Sequence, residues 1–354
     1  MAIFFDAEVT PDALTAFVRE LPTPDNLAFY NAIGAQNVND HKVDFSELIE
    51  TNRVASFRTW DGNYPTLGRD GASSSDVGLL PLGVQASALG EYERLQLEFA
   101  RTGGTNKAAL ANAIYNDAET LTKSIYNRLE LAWGDVLTDG ILTIRENGVG
   151  GTAGVADFGM DPARKVNAAT TWSDPEAKIL DDLIAWTEAY EGDGVAAPGA
   201  IRMKLKTFRL LARNKQIVGL VNGTTGVRER VTLDDVRAVL DSEGLPPVVF
   251  LPDTSFYVEN PGTGVPAGDQ KVVPDNLVLL TPANLSDLGF TALGVSVTAL
   301  ELVRSNVSDL TFQGAAGLVG LVIKEGPPFR QFSFVDAVAM PILSQPRRLF
   351  IARV

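Results

Sequence analysis

Several kinds of residue are scarce in this 354-residue sequence, and each scarcity excludes a class of site. The sequence contains no cysteine, which excludes disulfides and thiolate metal sites. Its single histidine, His41, excludes a metal site built from several histidines. No run of roughly 18 apolar residues occurs, so we expect no transmembrane helix and no membrane partner. The opening MAIFFDAEVTPD has no basic start, so we expect no secretory signal.

Basic residues are outnumbered by acidic ones, 30 lysines and arginines against 44 aspartates and glutamates, which gives a net charge of −14. A protein that binds nucleic acid tightly through phosphates is normally basic. Any contact with DNA is therefore expected to be weak or confined to local patches. Hydrophobic residues make up 45% of the chain, which is long enough to bury the cores of more than one compact unit.

One long amphipathic helix is predicted from Thr105 to Gly140. Thr105 or Asn106 can cap its start, and Gly140 stands where a left-handed C-terminal cap is favoured. At ~1.5 Å per residue it forms a rod of roughly 50 Å. Its apolar positions recur at spacings of three and four: Leu110, Ile114, Ala118, Leu121, Ile125, Leu129, Ala132 and Val136. The opposite face is polar, with Lys107, Asn112, Asp117, Glu119, Lys123 and Arg128.

The first 52 residues have a weak pattern, with one short helix predicted over Pro11–Leu21. We expect their apolar side chains to need the surface of another subunit, as in an arm lying across a neighbour. These apolar residues are Phe4, Phe5, Leu14, Phe17, Leu27, Phe29 and Tyr30.

Residues 53–104 are predicted to form a long extended β-hairpin. Strand-like ends, RVASFRTWDGNY and GEYERLQLEFA, flank the polar tract LGRDGASSSDVG. Loops of this length are usually functional or disordered, and a hairpin that packs on a second subunit is the functional version. The predicted assembly contacts of the arm and the hairpin are Phe4, Phe5, Phe57, Trp60, Tyr64, Arg69 and Asp70.

The chain after the long helix alternates between strand and helix patterns. ILTIREN and GVADFGMD predict a β-hairpin with a glycine-rich turn, and Asp174 can cap a helix over Pro175–Tyr190. An α/β pattern follows: AIRMKL as a strand, TFRLLARN as a helix capped by Thr207, VTLDDVRAVLDSEG as a helix capped by Thr232, PPVVFLPD as a buried strand, and two further strands before residue 285. The last strands, in GLVGLVIKEG, RQFSFVDA and RRLFIARV, are expected to pair beside the long helix.

Motifs that suggest catalysis or cofactor binding are incomplete. GVGGTAG is followed by a strand where a dinucleotide loop must open a helix, and GGTNK lacks the spacing of a phosphate loop. The triplet Asp157–Gly159 has no kinase catalytic loop upstream. The acid pairs Asp181/Asp182 and Asp234/Asp235 sit side by side on predicted helices, so their carboxylates point apart. We therefore expect no catalytic, cofactor or metal site, and no enzymatic activity.

The order of these pieces resembles the tailed-phage capsid fold, the Hong Kong 97 fold, and more narrowly the lambda-like head proteins of the capsid protein E family. Three segments carry the resemblance. They are ILTIRENGVGGTAGVADFGMD, TTWSDPEAKILDDLIAW with Trp172, Ser173, Asp181 and Asp182, and VVPDNLVLL with Pro274, Asp275 and Asn276. The resemblance implies an α+β fold in five segments: an N-terminal arm (1–52), an extended loop (53–104), a peripheral domain with the spine helix (105–194), an inserted axial α/β domain (195–285), and strands that return to the peripheral domain (286–354).

The resemblance implies a subunit whose hexamers and pentamers build an icosahedral shell around double-stranded DNA. Such a shell is assembled in the host cytoplasm and becomes part of the virion. The implied partners are other copies of the chain, a separate scaffolding protein, a portal, possible decoration proteins and weakly contacted DNA. No lysine occurs between Lys42 and Lys107, so the covalent lysine cross-link of one branch of this fold is not expected. Two alternatives stay open: an encapsulin-like compartment that encloses enzymes, and a soluble α/β enzyme with its site in residues 195–285.

Overall fold

A computed structural model describes residues 2–4, 9–40, 42–48, 72–86, 107–144, 154–192, 195–222, 230–259, 268–305, 311–328 and 330–354. The chain folds into two compact units. The first unit comprises Met1–Val43, Val77–Trp133 and Phe290–Ile342, and the second comprises Asp44–Asp76, Gly134–Gly289 and Leu343–Val354.

The described helices and strands are numbered in chain order. The helices are α1 (Pro11–Glu20), α2 (Ala28–Ile33), α3 (Lys107–Asp139), α4 (Ile179–Glu191), α5 (Leu205–Leu211), α6 (Lys215–Asn222), α7 (Leu233–Ser242) and α8 (Val297–Ser305). The strands are β1 (Ala2–Phe4), β2 (Ala35–Asn37), β3 (Lys42–Leu48), β4 (Ala72–Gly78), β5 (Pro81–Gln85), β6 (Ile141–Thr143), β7 (Val155–Asp157), β8 (Lys165–Asn167), β9 (Ala200–Lys204), β10 (Val248–Leu251), β11 (Ser255–Val258), β12 (Gly268–Lys271), β13 (Leu277–Thr281), β14 (Gly289–Gly294), β15 (Val319–Gly326), β16 (Arg330–Leu343) and β17 (Phe350–Arg353).

The predicted spine helix is confirmed as α3, which ends where Gly140 adopts a φ of 74°. The predicted apolar face is buried, as Ile114, Ile125 and Val136 show. The polar face is exposed only in the first half of the helix, where Lys123 is its last exposed residue. From residue 124 onward every side chain is buried or half-buried, so the second half of the helix lies in the core and has no solvent-exposed face.

The N-terminal segment packs on its own chain. Helix α1 forms as predicted, with Thr10 as its cap, and it buries Leu14 and Val18 against β15. Gly320 of β15 permits this approach, because a Cβ there would lie 2.8 Å from Leu14 Cγ. The expectation that the apolar residues of this segment need a neighbour is therefore wrong for Leu14, Leu27, Phe29 and Tyr30, which are buried within their own subunit.

Arg19 fastens the end of α1 to the segment that leads into β15. Its guanidinium donates to the carbonyl oxygens of Gly314, Ala315, Ala316 and Leu318 at 2.8–3.4 Å. Five donors in a rigid planar fork suit this task, because several backbone acceptors are satisfied by one side chain. Burial of the guanidinium lowers the pKa of Arg19.

Two sheets form the cores of the two units. The first unit has a six-stranded sheet in the order β1-β15-β16-β14-β2, with β5 also pairing with β16. The second unit has a five-stranded sheet in the order β10-β9-β13-β17-β8, in which β13 is buried along its whole length. Two-stranded pairs form between β3 and β4, between β6 and β7, and between β11 and β12. The hairpin predicted after the spine helix is thus confirmed as β6 and β7.

Several local predictions are wrong for identifiable reasons. Helix α4 begins at Ile179, because residues 174–177 form turns in which Asp174 accepts from Glu176 N. Helix α5 begins before Thr207, whose buried hydroxyl donates to the carbonyl oxygen of Asp275. Strand β10 is half-buried because it lies at the end of its sheet. Strand β17 pairs with β13 and β8 in the second unit's sheet, whereas β15 and β16 belong to the sheet of the first unit.

Gly134 of the spine helix is in contact with backbone of the same unit. A Cβ at this position would overlap the carbonyl oxygen of Val272. We expect Gly134→Ala to destabilise the chain by about 3 kcal/mol, since overpacking outweighs the roughly 1 kcal/mol gained in helix propensity. Urea unfolding of the purified chain measures the change. Gly219→Ala in α6 is the matched control, because a Cβ there meets nothing within 4 Å. It should stabilise the chain by up to about 1 kcal/mol, and equal effects at both sites would contradict the proposed clash.

Glu130 is a fully buried carboxylate on the spine helix, and it caps another helix. Its oxygens accept from the backbone N–H groups of Phe29 and Tyr30 at 2.8–3.1 Å. Leu27, at the start of α2, offers no capping side chain, so Glu130 supplies the acceptor from 100 residues away. Burial raises the pKa of Glu130, while these N–H donors and that of Ala28 oppose the shift.

We expect Glu130→Gln to destabilise the chain by about 2 kcal/mol, because an amide NH2 would then face backbone donors in a buried site. The measurement is urea unfolding at pH 7. Glu119→Gln on the same helix is the control: Glu119 pairs at the surface with Lys123, so its loss should cost less than about 0.5 kcal/mol. A neutral effect of Glu130→Gln would show that α2 does not depend on this cap.

Candidate assembly site

The predicted assembly contacts lie almost entirely outside the described residues. Phe5, Phe57, Trp60, Tyr64, Arg69 and Asp70 are all outside them. Only the backbone of Phe4 is described; it pairs with Lys324 of the same chain, because β1 is the edge strand next to β15. The role of these residues in assembly therefore stays a prediction.

A cluster of charged side chains lies at the carboxyl edge of the second unit's sheet. Strands β9 and β10 are parallel, so their carboxyl ends meet at one edge. Lys204 is the last residue of β9, Asp253 follows β10, and Asp275 precedes β13, which runs antiparallel to β9. The Lys204 side chain is only 3% exposed, and its Nζ lies 2.5 Å from Asp253 Oδ1 and 3.1 Å from Asp275 Oδ1.

Two more lysines complete this group, which we call the lysine cluster: Lys204, Lys206, Lys271, Asp253 and Asp275. Lys206 and Lys271 each place Nζ 2.7 Å from a carboxylate oxygen of Asp275. Lys271 also lies 3.5 Å from Asp253. Three ammonium groups thus share two carboxylates, which leaves one net positive charge. Lys206 is the most open member, with its side chain 75% exposed.

The lysines set the acid–base behaviour of the cluster. Donation from Lys206, Lys271 and Lys204 holds the pKa of Asp275 well below its ordinary value. The pKa of Asp253 is lowered mainly by its hydrogen bond to Lys204. Donation to Asp275 raises the pKa of Lys271. Asp275, Asp253 and Lys271 are therefore charged at neutral pH, and these three groups are held in ion pairs and are not poised for proton transfer.

The sequence analysis singled out Asp275 but missed its partners Lys204, Lys206, Asp253 and Lys271. The sequence contained a signal for two of these partners, namely their positions at the ends of predicted strands. Lys204 lies near the end of the predicted strand AIRMKL, Asp253 is the last residue of the predicted strand PPVVFLPD, and the carboxyl ends of parallel strands share an edge. The parallel pairing of β9 and β10 was not specified by the pattern alone.

The hairpin of β11 and β12 extends the charged surface of the lysine cluster. Burial alternates along both strands, so one face is half-buried and the other is exposed. The exposed face, which we call the hairpin face, carries the cross-strand pairs Ser255–Lys271 and Tyr257–Asp269. Tyr257 is 69% exposed. Since Lys271 belongs to both groups, the hairpin face and the lysine cluster form one continuous surface.

Other large apolar side chains are exposed singly in the described residues. These are Val155, Leu220, Val249, Val297 and Phe312. Scattered exposed apolar residues are normal for a protein surface, and they do not by themselves mark a contact.

The acid pairs singled out by the sequence have structural partners. Asp182 accepts from the indole N–H of buried Trp172 at 3.1 Å, and Trp172 stacks on Trp186 at 5.6 Å between ring centroids. Asp181 accepts from the side-chain amide of Gln216 at 2.6 Å. Asp235 forms a capping box with Thr232 at the start of α7, as the predicted cap requires. These carboxylates hold elements in place and do not converge on a reacting position.

Metal-binding clusters and membrane-spanning helices are both absent from the described residues. No group of three or more histidine, cysteine, aspartate or glutamate side chains there is arranged to hold a metal ion. No described helix has both the length and the apolar character needed to span a membrane.

Comparison with known proteins gives the class of this chain. The family model for phage major capsid protein E matches residues 10–295. A phage-related protein from Bordetella bronchiseptica RB50 is similar in structure, with a TM-score of 0.53 and 12% identity over 96% of this chain and 94% of that one. A prophage protein from Escherichia coli CFT073 assigned as a capsid protein gives 0.51 and 12%, over 80% and 79%. The capsid of Myoviridae phage XM1 gives 0.48 and 13%, over 94% of each chain. No curated protein matches the sequence.

The helices and sheets described above therefore have the Hong Kong 97 fold, which confirms the α+β fold class. Since the family model covers well over half of the chain, the chain belongs to the phage major capsid protein E family. It is a structural protein of the virion, and proteins of this kind assemble with copies of themselves into shells.

The lysine cluster makes the second unit sensitive to acid. Because the folded pKa of Asp275 lies below the ordinary 3.8, its stabilisation is complete above that pH and is lost as the pH falls toward the folded value. We expect Asp275→Asn to remove this contribution, so that the variant is less stable at pH 7 and loses less stability on acidification. Thermal unfolding between neutral pH and pH 3 tests this. Asp241→Asn, at an exposed acid outside the cluster, is the control. Parallel pH profiles for Asp275→Asn and the wild type would contradict the assignment.

Proposed function

We propose that this chain is the major head protein of a tailed bacteriophage and that its hexamers and pentamers form an icosahedral shell around double-stranded DNA. The match of the capsid family model to residues 10–295 is the observation that supports this most strongly. The long spine helix and the two sheets agree with it, because they supply rigid layers that a thin shell needs.

The partners and the place of assembly form part of the same proposal. Copies of the chain assemble in the cytoplasm of the host bacterium, guided by a separate scaffolding protein and closed by a portal. Decoration proteins are possible further partners of the finished shell. Contact with the packaged DNA is weak and local, since the chain carries a net charge of −14.

We propose no catalytic role. The paired acids that could suggest acid–base chemistry are engaged with Trp172, Gln216 and Thr232. The charged cluster holds its carboxylates ionised by lysines, which suits a structural tie. A soluble α/β enzyme with its site in residues 195–285 would instead show a shift in melting temperature with a substrate or cofactor.

The arm and the extended loop are proposed to make the contacts between subunits. Phe57, Trp60, Tyr64, Arg69 and Asp70 in the loop, with Phe4 and Phe5 in the arm, are the proposed contact residues. Residues 53–104 would then overlap a neighbour, while residues 195–285 would face the axis of the capsomer. The proposed division of the chain into five segments at residues 52, 104, 194 and 285 belongs to this model of the shell.

Electron microscopy of the purified protein, alone and with the scaffolding protein of the same phage, tests the proposal. We expect closed shells or their hexameric and pentameric building units. A chain that stays monomeric at every concentration and with every scaffold would contradict it. Shells that enclose a co-purified enzyme, with no role in DNA packaging, would identify the encapsulin-like alternative.

Trp60 provides a direct test of the extended loop. We expect Trp60→Ala to raise the concentration needed for assembly at least roughly tenfold, because loss of an interface tryptophan costs about 2 kcal/mol per contact. Its monomer should unfold at the wild-type urea concentration. Light scattering and urea titration give the two readouts, and Trp60→Tyr, which keeps an aromatic ring, is the matched control. Normal assembly would exclude Trp60 from the contact, and a destabilised monomer would place it inside its own subunit.

A further inference from the structure

The second unit carries the lysine cluster at one edge of its sheet and two exposed acids at the other edge, which also holds Arg347 and Arg348 before β17. The carboxyl edge carries the lysine cluster and the hairpin face, with Lys206 and Lys271 exposed. At the amino edge, helix α7 ends in Asp241 and Glu243, both exposed. We call these two residues the acidic turn.

Backbone geometry fixes the acidic turn at that edge. Only residues 244–247 separate it from the first residue of β10, Val248. Pro247 also accepts a hydrogen bond at 3.0 Å from the N–H of Ile201, near the start of the parallel strand β9. The turn therefore lies beside the amino ends of β9 and β10, opposite the edge at which Lys204 ends β9.

Resting on the proposed shell function, we propose that the lysine cluster and hairpin face of one copy bind the acidic turn of the next copy. Because the two surfaces are different and lie at opposite edges, this contact is head-to-tail. A head-to-tail contact closes into a ring when the rotation between copies permits it. It therefore suits neighbours around a capsomer axis.

Charge and composition favour another copy of this chain over DNA as the occupant. Each lysine of the cluster already shares an aspartate, so the cluster has one net positive charge, too little for strong phosphate binding. The acidic turn offers two negative charges in a chain that is acidic overall. Tyr257 adds an exposed aromatic side chain, the type enriched in protein interfaces. Paired opposite charges set the register and the specificity of such a contact.

Reversal of charge on each side tests the contact. Lys206→Glu should reduce the yield of capsomers and shells roughly tenfold at low salt, and Asp241→Lys with Glu243→Lys should do the same. The combined variant, with both sides reversed, should recover most of the yield. Sedimentation velocity and electron microscopy of the full chain measure it. Arg209→Glu, an exposed cation one turn further along α5, is the matched control and should assemble normally.

Tyr257→Ala keeps the test informative if a charge variant does not fold, since this side chain belongs to no ion pair of the cluster. It should also lower the yield, and circular dichroism should show a folded subunit. Normal yields for Lys206→Glu and Tyr257→Ala would overturn the proposal, as would failure of the combined variant to recover. Wild-type yields with reduced DNA binding in Lys206→Glu would overturn it in favour of a nucleic-acid contact. Failure of the shell function itself would differ, because the wild type would then form no assemblies.

Discussion

Burial of the second half of the spine helix is the constraint on which both units depend. From residue 124 to Asp139 the helix has no exposed side chain. Other parts of the chain must therefore pack against every face of the helix over about four turns. In the first unit, α2 lies against the spine helix, and two of its backbone N–H groups donate hydrogen bonds to the buried Glu130. In the second unit, Val272 approaches Gly134 so closely that no side chain fits there.

Part of the segment expected to act as an arm packs instead on its own subunit. The apolar residues Leu14, Leu27 and Phe29 have partners in their own subunit, so an exposed helix surface in solution is avoided before any neighbour arrives. The contact that we propose between copies is instead mainly polar: it joins a cluster of lysines and aspartates and one exposed tyrosine to an acidic turn. A subunit that must remain separate until assembly begins benefits from this division, because polar contacts associate specifically without favouring aggregation.

Sequence reasoning succeeded where a local pattern decides the structure. The spacing of Ile114, Ile125 and Val136 predicted the spine helix, and Thr232 with Asp235 predicted a cap that forms as a capping box. It failed where tertiary contacts override a local signal. Thr207 is a good capping residue by type, but its hydroxyl donates to Asp275 from inside a helix that begins earlier. The last strand, Phe350–Arg353, has no local feature that says which sheet it joins, and it pairs with β13 and β8.

The lysine cluster shows why the residues of a site are harder to predict from the sequence than a helix or a cap. Its residues lie between positions 204 and 275, and no spacing rule connects them along the chain. Only the parallel order of β9 and β10, followed by the antiparallel β13, brings Lys204, Asp253 and Asp275 to one edge. The same topology sends the end of α7 to the other edge, since a crossover helix between parallel strands must return the chain to its starting side. The crossover therefore explains why the lysine cluster and the acidic turn lie at opposite edges of the sheet, while the signs of their charges come from the residues themselves.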